Sequence, residues 1–144
     1  MAYESFSMGN LAVFKIDTTS GGSLGDISAG VASVDLSGTK DILELKRIGN
    51  AQTAKLAGPV ANEIKLKCWY SQDLMVIFRA ESMTSGTATR SFEYGPTGTT
   101  SGMEKLTGEV VIGAISESTN PDDPHSFDVT LPVASSGVTV GTYS

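Results

Sequence analysis

Residues that could do chemistry are few in this sequence and lie far apart. The one histidine, His125, sits in an Asp-Asp-Pro-His turn whose acids, Asp122 and Asp123, could orient it as a base. A catalytic triad also needs a nucleophile on a constrained turn, and the G-x-S-x-G pattern of such turns does not occur here. We therefore interpret His125 as a solvated turn residue and predict no hydrolase.

Metal and cofactor sites are not predicted either. Asp122 and Asp123 could contribute to a calcium site, but Ca²⁺ takes about 6–8 oxygen ligands and the chain has no spaced acidic loop. The glycines of residues 97–102 do not form the G-x-x-x-x-G-K-[ST] pattern of a phosphate-binding loop. The sequence thus offers no catalytic residue, no metal ligand set and no cofactor site.

Cys68 is the one cysteine in the chain, so an internal disulfide and a thiolate metal cluster are both excluded. It falls on the apolar side of an alternating segment, where a free thiol usually behaves as a small buried hydrophobe. A lone unpaired cysteine is typical of proteins that fold in a reducing cytosol. We expect Cys68 to pack in the core and not to act as a nucleophile.

Four aromatic residues could form a stacking platform for a sugar ligand: Trp69, Tyr70, Phe92 and Tyr94. Aromatic residues on strands are more often cross-strand packing pairs. Packing is the preferred interpretation, and a monomeric module that binds carbohydrate or a cell surface is kept as an alternative.

The charge content excludes one class of function and favours assembly. Charged residues make up 18% of the chain, below the ~25% of an average soluble domain, which indicates that part of the surface becomes buried against a partner. With 10 basic and 16 acidic residues the net charge is -6, so tight nucleic-acid binding is not expected, although DNA could pass as cargo. The N-terminus does not look like a signal peptide, and we expect no membrane-spanning segment.

The elements that must position these residues are mainly strands. The segment 63–70 (EIKLKCWY) alternates cleanly, whereas 71–83 places Leu74, Ile77 and Phe78 at helical spacing behind Ser71 as a possible N-cap. We predict a single domain spanning 1–144 with one short helix at 71–83 and strands at 11–17, 26–37, 41–48, 63–70, 90–94, 106–118 and 126–133.

Residues 49–62 (GNAQTAKLAGPVAN) are predicted to form a long loop between two strands. The segment is too long for a tight turn and too rich in Gly, Ala and Pro for a regular strand. Its apolar side chains are costly in water unless a partner covers them. The residues alone leave two interpretations, a mobile surface loop or a contact with a partner, for which Lys55, Leu56, Pro59 and Val60 are the candidate residues.

Residues 89–102 (TRSFEYGPTGTTSG), followed by GEVVI, resemble the major tail proteins (tail tube proteins) of long-tailed, siphovirus-type bacteriophages. The order of DISAGVASVDLS, DILELKRIGN, ANEIKLKCWYS and RSFEYGP is similar to that family over nearly the whole chain. The resemblance implies a mainly β fold, a small β-sandwich or barrel with one flanking helix. It also implies hexameric rings that stack into a hollow tube, with the loop at 49–62 packing on a neighbouring subunit or ring.

The function implied is that of a structural subunit of the virion tail and not an enzyme. DNA would pass through the tube without specific binding, and an acidic lumen would repel its phosphates; the candidate lining acids are Asp41, Glu44, Glu63 and Glu109. The implied partners are further copies of the chain and the tail tip, tape measure and terminator proteins, and synthesis would occur in the cytoplasm of the host bacterium. A related ring, such as a tail terminator or a secretion-system tube, remains a second alternative.

Overall fold

The computed structural model describes residues 11–18, 22–46, 48–49, 54–83 and 88–144. It consists of strands with one α-helix, as the sequence predicts. A 3-10 turn at Ser28–Gly30 precedes β3. In chain order the main elements are β1 (Val13–Asp17), β2 (Leu24–Asp26), β3 (Val31–Leu45), β4 (Ala54–Trp69), α1 (Gln72–Ser82), β5 (Arg90–Gly95), β6 (Glu104–Val110), β7 (Ala114–Ser118) and β8 (Ser126–Thr142).

The eight strands form one antiparallel sheet that folds into two layers, because β8 belongs to both. One layer has the order β2-β1-β5-β6-β8, and the other contains β3, β4, the first part of β8 and β7. Pro132 is the last residue of β8 to pair with β4, and Val133 pairs with β6. The strand therefore changes layers at a proline, which has no N–H to donate to a ladder.

The two layers enclose an apolar core. Phe14 and Phe92 of the first layer stack with ring centroids 6.2 Å apart, and Phe127 of the second lies 6.2 Å from Phe78 of α1. All four rings are buried. The predicted β-sandwich with a flanking helix is confirmed. The barrel alternative is not, because β2 and β3 end the sheet without pairing to each other among the described residues.

The helix forms where the apolar period changes from two to about 3.6 residues. Leu74, Ile77 and Phe78 are buried, while Val76 on the opposite side is exposed. The N–H of Met75 donates to the Ser71 carbonyl at 2.8 Å, so Ser71 occupies the position before the first turn, as predicted. The helix thus packs its apolar side against the core of the sandwich.

Several strand boundaries differ from the prediction, and β2 was not predicted. Residues 26–37 and 41–48 were expected to be separate strands, but β3 runs through Ser37-Gly38-Thr39 because each of these residues has a partner on β4. The predicted strand 106–118 is interrupted at 111–113, although β6 and β7 both run along β8. The predicted strand 126–133 continues to Thr142.

Candidate assembly surface

Strands β3 and β4 continue well beyond the sandwich as a two-stranded ribbon. Residues 38–45 pair with residues 54–62, from Gly38↔Asn62 to Leu45↔Ala54. In the described part of the chain this ribbon pairs with no third strand, since the ladder between β4 and β8 begins only at Glu63. We call residues 38–45 and 54–62 the arm.

The arm exposes large apolar side chains. Ile42 is 61% exposed, Leu43 59%, Leu56 49% and Val60 53%. Leu43 pairs with Leu56 and the adjacent Ile42 pairs with Ala57, so the two pairs point to opposite faces of the ribbon. A lone two-stranded ribbon is only marginally stable in water, and an apolar patch of this kind usually marks an interaction site.

A bulge in the arm explains why the sequence suggested a loop. Lys40 pairs with Val60 and Ile42 with Ala57, so β4 carries an extra residue at Gly58-Pro59. A Cβ at Gly58 would lie 3.0 Å from the Asp41 carbonyl oxygen, which leaves little room for a side chain. The Gly and Pro that argue against a regular strand are the residues that form this irregularity.

The predicted loop at 49–62 is therefore wrong for most of its length. Lys55, Leu56, Pro59 and Val60 lie on β4 and not in a loop, and all four are exposed. Residues 50–53 lie outside the described residues. Contact of these four side chains with another subunit stays a prediction.

The other strand of the arm lies largely within the predicted strand 41–48, but Ile42 and Leu43 were not among the predicted contact residues. Ile42 and Leu43 are adjacent in sequence and both exposed. The sequence did contain a sign of this exposure. Ile42 and Leu43 are neighbours on a strand and point to opposite faces, so a single core can bury only one of them.

The four candidate lining acids do not form one cluster. Glu63 alternates with buried Ile64 and therefore lies on the outer face of the β3–β4–β8 layer. Glu109 accepts a 2.5 Å hydrogen bond from the Ser91 hydroxyl on the outer face of the other layer. Asp41 and Glu44 lie on the arm, where Glu44 is 3.9 Å from the Lys55 ammonium group. Glu63 and Glu109 thus face opposite directions and cannot line the same surface of one subunit.

Neither outer face is uniformly acidic. On the β3–β4–β8 layer, Lys65 pairs with both Asp35 and Thr130, and Lys67 pairs with Asp128. On the other layer, Lys15 and Glu93 form an ion pair at 3.4 Å. Acidic and basic groups alternate across the strands, which neutralises much of each face locally.

His125 is more constrained than the predicted solvated turn residue. Its ring stacks on Tyr70 with centroids 4.1 Å apart. The Glu117 carboxylate oxygen lies 2.7 Å from Nε2, and the Thr119 hydroxyl lies 3.0 Å from the same nitrogen. A triad needs its carboxylate and its nucleophile on opposite ring nitrogens, so this arrangement is not of that type.

Cys68 is fully buried, as predicted. Burial raises the pKa of its thiol to about 12, with a smaller contribution from the negative charge of Asp128. At neutral pH the group is a thiol and not the nucleophilic thiolate.

The aromatic residues do not form a common platform. Phe92 is buried and Tyr94 packs toward Phe14 at 6.2 Å, whereas Trp69 and Tyr70 are exposed at the end of β4. The packing interpretation is confirmed for Phe92 and Tyr94.

Within the described residues, no group of three or more His, Cys, Asp or Glu side chains is placed to hold a metal ion. No helix in that part of the chain is long and apolar enough to cross a membrane.

No protein-family model matches the chain, and a search of curated proteins gives no match. Solved structures do match. The tail of an empty gene transfer agent particle, refined with C6 symmetry, has a TM-score of 0.73 at 16% identity over 96% of this chain and 100% of that one. The SPP1 tail tube has a TM-score of 0.70 at 14% identity, and the match covers 94% of this chain and 79% of that one. The sheath-tube complex of an extracellular contractile injection system has a TM-score of 0.71 at 13% identity, and the match covers 97% of this chain and 94% of that one. The chain therefore has the fold found in these tail and tube assemblies, as its resemblance to tail tube proteins predicts.

Proposed function

We propose that this chain is a structural subunit of a phage tail tube that assembles as stacked hexameric rings and is not an enzyme. The observation that carries the proposal is the arm, which exposes apolar side chains on both faces and has no third strand beside it among the described residues. A surface of this kind is stable only when other copies cover it. The shared fold supports the proposal because it extends over at least 94% of this chain in each of the three structures compared.

The proposed tube is a passage for DNA in the virion tail. The net charge of -6 disfavours tight phosphate binding, and the alternating charges on both outer faces offer no extended basic track. Asp41 and Glu63 are the pair of candidate acids that strand alternation places on one face, so we propose that face for the lumen. Tip, tape measure and terminator proteins are its further proposed partners in the tail.

A tube of a contractile injection system is the second candidate function. It is favoured by the sheath-tube complex, whose TM-score of 0.71 lies between those of the gene transfer agent tail and the SPP1 tail tube. A tube of this class would have to bind a sheath on its outside. Pull-down of a sheath protein by assembled tubes, measured against dispersed subunits, separates the two candidates.

Electron microscopy of the purified chain across a concentration series tests the proposal. We expect hollow tubes or six-fold rings for the wild-type protein, and a cryo-EM map of the tubes would show whether Glu63 or Glu109 faces the lumen. Leu56→Asp should raise the concentration needed for assembly by more than about a hundredfold, because assembly would bury an unpaired charge.

The matched control is Leu56→Met, which keeps an apolar side chain of similar volume and should assemble like the wild type. Both variants should retain the wild-type melting temperature as dispersed subunits, because Leu56 lies outside the core. Wild-type protein that stays monomeric up to its solubility limit would overturn the proposal. Tubes formed equally by Leu56→Asp would show that the arm is not the assembly surface.

A further inference from the structure

The bulge in the arm decides which face of the ribbon its apolar side chains occupy. Asp41 of β3 lies opposite two residues of β4, Gly58 and Pro59, and beyond them regular pairing resumes, with Leu43 opposite Leu56. Side chains alternate between the two faces of a strand, so an extra residue in one strand shifts the face of every later residue relative to the partner strand. The faces of the arm are therefore set at this bulge.

With the bulge, four exposed aliphatic side chains divide equally between the two faces of the arm. Leu43 and Leu56 form a cross-strand pair on one face. Ile42 lies on the other face, since it is adjacent to Leu43 on β3. Val60 shares that second face, because its partner Lys40 lies two residues from Ile42. Both faces of the arm are thus apolar.

A regular ladder would distribute the same side chains unequally. Without the bulge, Ala57 would lie opposite Leu43, and Leu56 would move by one position to the other face. Leu56 would then join Ile42 and Val60, and of the four only Leu43 would remain on the first face. Such an arm could be covered by a single surface, whereas the observed arm needs cover on both of its faces.

Backbone and side chains both favour the bulged register. A Cβ at Gly58 would lie 3.0 Å from the Asp41 carbonyl oxygen and 3.1 Å from the Asp41 Cβ, so a side chain here would press on the opposite strand. Pro59 has no N–H to donate to a regular ladder, and proline is tolerated at bulges. Beyond the bulge, Glu44 pairs with Lys55, and 3.9 Å separates the carboxylate oxygen from the ammonium nitrogen. Opposite charges across two strands stabilise the register that brings them together.

We propose that Gly58 and Pro59 are positioning residues for assembly, because their bulge holds Leu56 opposite Leu43 and so gives the arm an apolar contact surface on each face. The inference rests on the proposed function and adds to it that other copies must cover both faces of the arm. Assembly would then weaken when the apolar side chains are gathered on one face, even though none of them has been removed.

Disulfide formation within dispersed subunits measures the register of the arm. Leu43→Cys combined with Leu56→Cys should close a cross-strand disulfide in the otherwise wild-type chain. Leu43→Cys combined with Ala57→Cys should not, because the two side chains point to opposite faces. The native Cys68 is buried and does not compete. Mass spectrometry of the monomer fraction identifies the bond.

Replacing both bulge residues by valine should change this register. Gly58→Val with Pro59→Val supplies the N–H and the β-branched side chains of a regular strand, so Leu43→Cys should now bond Ala57→Cys. Without the added cysteines, this double-valine variant should keep the melting temperature of the wild-type subunit, because the arm lies outside the core. Its critical concentration for assembly should rise more than about tenfold, since Leu56 would leave its contact face.

The matched control is Gly58→Val with Pro59 deleted. It is one residue shorter than the double-valine variant, so its regular ladder again places Leu56 opposite Leu43, and it should form tubes at the wild-type concentration. Electron microscopy and sedimentation compare the two variants.

Three outcomes would overturn the inference: a double-valine variant that keeps the bond to position 56, one that changes register and still assembles like the wild type, or a shortened control that fails to assemble. Absence of wild-type tubes would instead count against the proposed function, because the disulfide register is measured on dispersed subunits.

Discussion

Side chains in this protein differ in whether a single subunit is enough to bury them. Cys68, Phe14 and Phe127 are enclosed by their own chain, whereas Leu43 and Leu56 are about half exposed or more. The first group should determine the stability of the subunit. The second should affect assembly with little effect on subunit stability.

The pH dependence of stability tests the burial of Cys68. Burial raises the pKa of the thiol from 9.0 to about 12 in the folded state. Between these values the unfolded thiol ionises and the folded one does not, so its contribution is constant below about pH 9 and stability falls as pH rises through this window. Urea unfolding at about pH 8 and pH 10.5 should show a larger loss for the wild type than for Cys68→Ala.

The alanine variant is its own control, because the cavity it creates costs the same free energy of unfolding at both pH values. Lysine and tyrosine titration affects both proteins equally. An identical loss in the two proteins would contradict the assignment of a buried neutral thiol.

At the scale of elements, close backbone approach fixes how β6 packs. A Cβ at Gly108 would lie 2.8 Å from the Gly137 carbonyl oxygen and 3.0 Å from a ring carbon of Phe92. Gly108→Ala should lower the free energy of unfolding by about 1–3 kcal/mol, measured by urea denaturation. Gly141→Ala, whose nearest contact would be 3.9 Å, is the matched control and should cost nothing or stabilise slightly. Equal effects of the two substitutions would contradict the tight packing at Gly108.

The elements that could be predicted are those with one buried face. The alternation of Ile64, Leu66 and Cys68 and the helical spacing of Leu74, Ile77 and Phe78 both follow from burial against a single core. Strand β5 was predicted as residues 90–94 and extends to Gly95. In these segments the sequence pattern was sufficient.

The full length of the arm could not be predicted, because the spacing of its apolar residues is not determined by burial in the core of the subunit. Ser37-Gly38-Thr39 suggests a turn, but in the structure Gly38 pairs with Asn62 and β3 continues through all three residues. Leu43 and Ile42 point to opposite faces, so the period-two signal of a half-buried strand is lost.

At the scale of the whole molecule, the exchange rates of backbone amide hydrogens should differ between dispersed subunits and assembled tubes. We expect arm amides to exchange quickly in dispersed subunits and at least about tenfold more slowly in tubes, because only the tube would cover them. Amides of β4 between Glu63 and Trp69 lie inside the sandwich ladder and should be slow in both states. Mass spectrometry of exchanged wild-type tubes, with Leu56→Asp subunits as the dispersed reference, gives the comparison. Arm amides that exchange equally fast in tubes would contradict a role in assembly.

The continuity of the arm with the sandwich has a mechanical consequence. Strand β4 runs from the arm into seven residue pairs with β8, from Glu63↔Pro132 to Trp69↔Ser126. A pull on the arm acts along these strands, so it loads the hydrogen bonds of the ladder together in shear and does not peel them apart one at a time. Tension between neighbouring copies would therefore be borne by the strand of each subunit that lies between β3 and β8.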